Sequence, residues 1–361
     1  MSTPRYAAAA AVAVAGLVLA GCAGAGPQTR TDAAVTTPVA ATHGGPTGAD
    51  AMMSARPDGT PAGAEPSATA QALLGRYATA LAQRDRAAYV RTLADPDSAF
   101  GRQRLAAFGT FGSLPVTGLR WSTVTVTGDV VRAVGSYTLA GYDAGPHTFA
   151  LAYRMSAVDG TWRLAGVADG NRPQLWDLPD AQVLRSRRVL VVGSLPRGQL
   201  LEVQRRAERA VDAVGRVWTA PWRQRLVVVA PASTQAAADL LGETPASLDG
   251  VAAVTDGPLP AGRSAPSDRV VLDPTGNAAL TATGRQVVLT HEATHVAVRA
   301  TTIAPVPLWL SEGLAEVTAY EGVHLPEATV AAGAVAQVRV TGLPAALPAD
   351  SAFDIGGSAL A

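Results

Sequence analysis

Gly284-Arg285-Gln286-Val287-Val288-Leu289-Thr290-His291-Glu292-Ala293-Thr294-His295-Val296-Ala297-Val298-Arg299 is the most informative stretch of this chain. It contains no proline and no turn signal after its first residue, so it reads as one helix. Residues four apart on a helix point the same way. His291 and His295 can therefore reach one metal ion, while Glu292, one residue on, lies about 100° round the axis, beside the ion's open position. With this composition, two histidines and a glutamate fall at these spacings by chance about two times in a thousand. Spacing alone thus proposes two ligands and one base.

A catalytic zinc keeps three protein ligands and one water, so a third donor is expected downstream. Trp309-Leu310-Ser311-Glu312-Gly313-Leu314-Ala315-Glu316 supplies it. Ser311 can cap a helix here. Glu312 and Glu316 then sit four apart on one mostly apolar helical face, where like charges repel by about a few tenths of a kcal/mol and burial costs more. They need cationic partners. A metal ion for Glu312, and the outer ring N–H of a ligand histidine for Glu316, meet that need. The bland alternative is a solvated acidic face, and the adjacent Trp309, Leu310 and Leu314 speak against it.

Together these two segments resemble the gluzincin metallopeptidases, in particular the bacterial peptidase MA-like domains, whose third-ligand helix has the pattern W-L-x-E-G-x-A-E. Trp309, Leu310, Glu312, Gly313, Ala315 and Glu316 match it. The resemblance covers residues 185–361, with the specific motifs confined to 287–316. It implies Zn2+ held by His291, His295 and Glu312, with Glu292 as catalytic base and Glu316 orienting a ligand histidine, His291. The third histidine that metzincins place shortly after His295 is absent. The implied activity is hydrolysis of a peptide or protein substrate. Zinc lowers the pKa of its water towards about 7, and Glu292 accepts the proton and hands it to the leaving amine. The chain departs from the family at its end. Gluzincins continue into a helical subdomain that often provides a Tyr or His donor to the oxyanion, whereas Gly356–Ala361 reads as the start of another Ala-rich helix. Either the domain is truncated at its C-terminus or it is minimal. Tyr320 and His324 lie nearby in sequence, and a surface position suits each at least as well.

At the other end, Arg5 is followed by the apolar stretch Ala7–Ala20, shorter than the roughly 20 residues of a membrane-spanning helix and suited to a secretory signal. Leu19-Ala20-Gly21-Cys22 resembles the bacterial lipobox. That implies a signal peptide over 1–21 and a lipidated Cys22 as mature N-terminus, with the protein anchored through lipid at the outer face of the cytoplasmic membrane, in the cell envelope. Each acyl methylene buried in the membrane contributes about 0.8 kcal/mol. Cys22 is the sole cysteine, so no intramolecular disulfide can form. Residues 22–66 are mainly Ala, Thr, Gly and Pro, and no aromatic residue follows Cys22 before Tyr77. Such a stretch cannot bury enough apolar area to offset chain entropy, and it reads as a disordered tether.

The whole chain has 361 residues, which suits two modest domains plus tails. Its 48% apolar and 16% charged residues are enough to build real cores. Its 29 basic and 29 acidic residues cancel, without the basic excess on which nucleic-acid binding rests, so no nucleic-acid partner is expected.

Ala70–Leu93 reads as one helix, with Leu73, Leu74, Tyr77, Leu81 and Tyr89 at helical spacing. Strand-like segments around Trp121, Val126, Val134 and Tyr137 follow, with turn chemistry at Gly128-Asp129 and a hairpin around Asp159-Gly160. In order and size, residues 67–170 resemble the α+β cone of the nuclear transport factor two-like and SnoaL-like families. No carboxylate and histidine pairing marks this part as an enzyme, and a binding or spacer module is expected. Residues 171–184, with Asn171-Arg172-Pro173 and Leu178-Pro179, read as a linker. Strands at Arg188–Val192, Arg225–Val229 and Arg269–Leu272 and a helix at Leu200–Val217 then make a mixed α/β unit, and the fold class expected overall is α+β. The leading functional expectation is a membrane-anchored extracytoplasmic zinc metallopeptidase. The alternative is a surface-tethered binding or scaffold lipoprotein with a structural or inactive zinc site. Glu292 favours the first, because a purely structural site has no use for a carboxylate that does not bind the metal.

Overall fold

The structure, a computed structural model, describes residues 66–349 apart from 261, 305 and 324. The signal peptide, Cys22 and the tether expected at the N-terminus, the stretch from Gly356 onwards and His324 lie outside the described residues. Among the described residues no helix is long and apolar enough to cross a membrane.

The first helix, α1 (Pro66–Gln83), is shorter than the single helix expected through Leu93. Arg84 takes a left-handed φ of 56°, and the Asp85 side chain accepts a hydrogen bond from the Ala88 N–H at 2.8 Å. That cap starts a separate short helix, α2 (Arg86–Val90). A third helix, α3 (Ala99–Ser113), opens where Ser98 accepts from the Gly101 N–H at 3.0 Å. A Cβ on Gly101 would lie 2.2 Å from the Asp95 carbonyl oxygen, so only glycine lets the chain close this turn.

Four antiparallel strands follow as a meander: β1 (Val116–Thr127), β2 (Val130–Leu139), β3 (His147–Val158) and β4 (Thr161–Val167). Val158 pairs with Thr161 around Asp159 and Gly160, whose φ angles of 51° and 72° are the positive pair that a type I′ turn requires. Helix α1 lies on this sheet, where the Trp121 indole N–H donates to the Leu74 carbonyl at 2.8 Å.

The second sheet has five strands: β5 (Gln182–Arg185), β6 (Val189–Gly193), β7 (Leu226–Ala230), β8 (Ala253–Asp256) and β9 (Arg269–Leu272), in the order β5-β6-β7-β9-β8. The inner three run parallel, and β5 and β8 are antiparallel edges. Helix α4 (Arg197–Val217) connects β6 to β7, and α5 (Thr234–Leu241) follows β7. After β9 come α6 (Pro274–Ala279), α7 (Ala282–Arg299), α8 (Leu308–Tyr320), α9 (Glu327–Val330) and α10 (Ala332–Thr341). The class is therefore α+β, with one antiparallel sheet and one mixed sheet.

The parallel strands read as unbroken apolar runs because both of their faces are covered. Val189, Val191, Leu226, Val228, Val270 and Leu272 share a core with α4 and α7. Their neighbours Leu190, Val192, Val227, Val229 and Val271 belong to a different core, together with Trp121, Tyr137 and Phe149 of the first sheet. Each such side chain contributes about 1.5–3 kcal/mol over its exposed state.

Residues 171–184 are not the open linker that their prolines and polar residues suggest. Leu175–Asp177 forms a 3-10 turn, and Leu175, Trp176 and Leu178 are buried. The Trp176 ring stands edge-on to Phe111 and Tyr137, with centroids 5.1 and 5.0 Å away. The remainder of the stretch enters β5. The reason is apolar area: these three large side chains gain more by filling the junction between the sheets than a flexible connection would retain in entropy. Two buried ion pairs flank the junction. Arg104 meets Asp177 at 2.8 Å, and Arg269 of β9 grips Asp143, in the β2–β3 loop, through two bonds of 2.6 and 2.9 Å.

Candidate metal centre

Helix α7 begins at Thr281, whose hydroxyl accepts from the Gly284 N–H at 3.0 Å, and from Val287 to Val298 every residue is buried. It packs between α4, α8 and β8. A helix covered on all sides must find partners inside the protein for each polar side chain it carries. Those of its two histidines and its glutamate make the site.

His291, His295 and Glu312 are brought together. The His291 and His295 Nε2 atoms are 3.0 Å apart, and the Glu312 Oε2 atom lies 3.2 Å from the first and 3.5 Å from the second. All three residues are buried, with one potential ligand atom from each within 4.8 Å of the others. A tetrahedral ion with bonds of about 2.0–2.1 Å separates its ligands by about 3.3–3.4 Å, close to these spacings. The other carboxylate oxygen of Glu312, Oε1, is buried and has no hydrogen-bond partner. The group can hold a metal ion, and these spacings together with that lone oxygen fit one.

The charge balance points the same way. Burial by itself lowers the affinity of His291 for a proton, but Glu312, Glu316 and Glu292 outweigh it and push the imidazole up to about 9. Burial likewise works to raise Glu312, yet bonds to His291 and His295 hold it down at about 2. Without a metal, the cluster therefore draws positive charge to itself as a proton.

The remaining contacts bear on the two histidines. Glu316, one turn beyond Glu312, places Oε2 3.5 Å from His291 Nδ1. Ser311 does not cap α8 as its sequence position suggests. The helix begins three residues earlier, after Pro307, whose fixed φ suits a helix entrance. The Ser311 hydroxyl instead lies 3.3 Å from His295 Nδ1. Each histidine thus has a neighbour for the ring nitrogen that faces away from the shared centre.

Glu292 is not one of the three converging residues. Its Oε2 accepts a 2.7 Å bond from the Thr255 hydroxyl on β8, which also lies 3.1 Å from the Glu292 backbone carbonyl. Burial pushes its carboxyl above the ordinary range, against the opposing influence of both histidines and of this hydrogen bond. Thr255 and Ser311 are the contributors that motif spacing misses. Nothing in the four residues Ala253–Asp256 marks them as a partner for a helix so far along the chain. Tyr320 packs at the edge of the core beneath α4 and α7, where burial and Glu316 push its phenol up to about 12.

What fold and site define is an α+β protein with a buried His-His-Glu group able to hold a metal ion. Comparison with protein-family models, with curated proteins and with solved structures gives no match.

Proposed function

We propose that this chain is a zinc-dependent peptidase of the gluzincin type. One observation carries the reading: a buried carboxylate, Glu292, stands next to a His-His-Glu metal group without joining it. A zinc ion held by His291, His295 and Glu312 would supply Lewis acidity to a peptide carbonyl and to water. Glu292 takes the proton from the attacking water and delivers it to the leaving amine, and its raised proton affinity suits a group that must briefly hold that proton. Thr255 fixes the carboxylate while this happens. Glu316 and Ser311 hold the two imidazoles in register, as second partners do for metal-ligating histidines. The leader and Cys22 read from the sequence would place this activity at the outer face of the cytoplasmic membrane.

The test is to load the purified full chain with zinc, incubate it with a diverse peptide pool and read cleavage by mass spectrometry beside Glu292→Gln. Parental cleavage with none from Glu292→Gln at equal zinc content supports the reading. Equal cleavage by both rejects Glu292 as the base, and cleavage by neither rejects the peptidase reading in favour of a structural metal site.

A further inference from the structure

Beyond the carboxyl ends of the parallel strands β6, β7 and β9 lies a cavity of about 360 Å3, lined by Leu195, Pro231 and Leu272, each at or just past one of those ends. Open sheets with parallel strands take ligands at that end. Val203 of α4, Ala278 of α6 and Leu289 of α7 continue the apolar wall. The charged part of the wall is Arg206 of α4 and Arg285 of α7, with Glu202 as its single carboxylate among the described residues.

Glu202 is already shared. It lies 2.7 Å from Arg206, accepts from Arg205 at 3.0 Å and comes within 4.0 Å of Arg209. The Arg206 side chain is 11% exposed, and its Nε is buried without a hydrogen-bond partner. Burial, with Arg285 and Arg209 close by, works against its charge and lowers its proton affinity despite Glu202. Arg285 is half-buried. It donates to the Asn277 and Ala278 carbonyls at 3.2 and 3.4 Å, and among the described residues no carboxylate pairs with it. Four guanidinium groups thus gather round one carboxylate, an imbalance that a bound anion corrects. Helix α4 adds to it, since it opens at Pro196 with no acidic residue in its first turn and no capping side chain, and its positive end lies at the same cavity through Leu195 and Gln199.

We infer that this cavity binds a small amphipathic anion, a carboxylate or phosphate monoester with a short apolar body. Arg206 and Arg285 take the charged head, because a planar fork of donors matches either oxyanion. Leu195, Val203, Leu272 and Leu289 take the body, and the volume, at the small end for ligand pockets, limits its size. A cation is repelled by both arginines and finds only Glu202, which they and Arg205 hold already. The site stands apart from the peptidase reading: none of His291, His295 and Glu312 lines it.

The test is calorimetric titration of the zinc-loaded full chain with octanoate, octyl phosphate, acetate, inorganic phosphate and octylammonium. Octanoate or octyl phosphate should bind at least 10-fold more tightly than acetate, inorganic phosphate and octylammonium, and the tighter of the two names the head group. Arg285→Glu reverses a charge of the wall, and Ala278→Trp fills the cavity from an exposed position. Each should weaken that binding at least 10-fold with zinc content unchanged, and if Arg285→Glu fails to fold, Ala278→Trp decides. The inference is overturned if the octyl anions bind no better than their bare head groups, or if octylammonium binds as tightly. It is equally overturned if a folded variant leaves the affinity intact, as it would for a carboxylate held by the zinc.

Discussion

The Thr255 hydroxyl stands 2.7 Å from a carboxylate oxygen of Glu292 and 3.1 Å from the backbone carbonyl of the same residue. One hydroxyl hydrogen cannot fully serve both acceptors. With Glu292 ionised it goes to the carboxylate. With Glu292 carrying a proton, Thr255 can donate to the carbonyl and accept from the carboxyl. One side chain on the edge strand thus remains bonded to Glu292 in both of its protonation states.

Replacing Thr255 by valine keeps the shape and removes the hydroxyl. The zinc content of Thr255→Val should equal that of the parent, while kcat for a cleaved peptide falls by roughly 10- to 100-fold, less than the loss in Glu292→Gln. Elemental analysis and steady-state kinetics on the same preparations check both halves.

His295→Ala and Glu312→Ala each remove a donor from the group and should lose most bound zinc, whereas Glu292→Gln should keep it. Because bound metal stabilises only the folded chain, a chelator should lower the melting temperature of the parent and of Glu292→Gln but barely move His295→Ala. Zinc at 100 times its Kd is worth about 2.7 kcal/mol.

His147 offers a pH dependence away from the His291-His295-Glu312 group. Its Nδ1 lies 3.3 Å from the Ser267 carbonyl, and burial, with Arg269 nearby, holds the imidazole well below its ordinary value. The native chain keeps the ring neutral while the unfolded chain takes a proton below about pH 6.5. Stability from this group is therefore intact above that pH and lost progressively as pH falls below it. Urea unfolding of His147→Gln over the same pH range should show a correspondingly flatter fall.

Asp143→Ala strands the buried Arg269 guanidinium. The expected cost is about 3–5 kcal/mol, or a melting temperature lower by roughly 10 °C. Changing both partners together, Asp143→Leu with Arg269→Met, should recover most of that loss in calorimetry, since the apolar pair leaves no charge behind.

The parts of the site within one helical turn are legible in the sequence. His291, Glu292 and His295 are related by helix geometry alone, and Glu312 and Glu316 by the same rule on a second helix. What joins the two helices, and what holds Glu292, depends on tertiary structure. Strand β8 is four residues long, too short for a period to show, and its register against Glu292 exists only once β9 has paired with it. Ser311 illustrates a local rule overridden, since Pro307 starts the helix earlier and frees the hydroxyl for His295. Elsewhere the break after α1 hinges on one left-handed residue, Arg84, and α3 carries Gly101, Gly109 and Gly112, which weaken any helical signal.

The alternation along β6 and β7 also bears on how the protein can be cut for study. A chain beginning near residue 171 would lose Trp121, Tyr137 and Phe149 from the core that they share with Leu190, Val192, Val227 and Val229. Such a piece would be sticky and prone to precipitate, however complete its histidine helix. The two halves share one core, and they should melt in one cooperative step rather than as beads on a string.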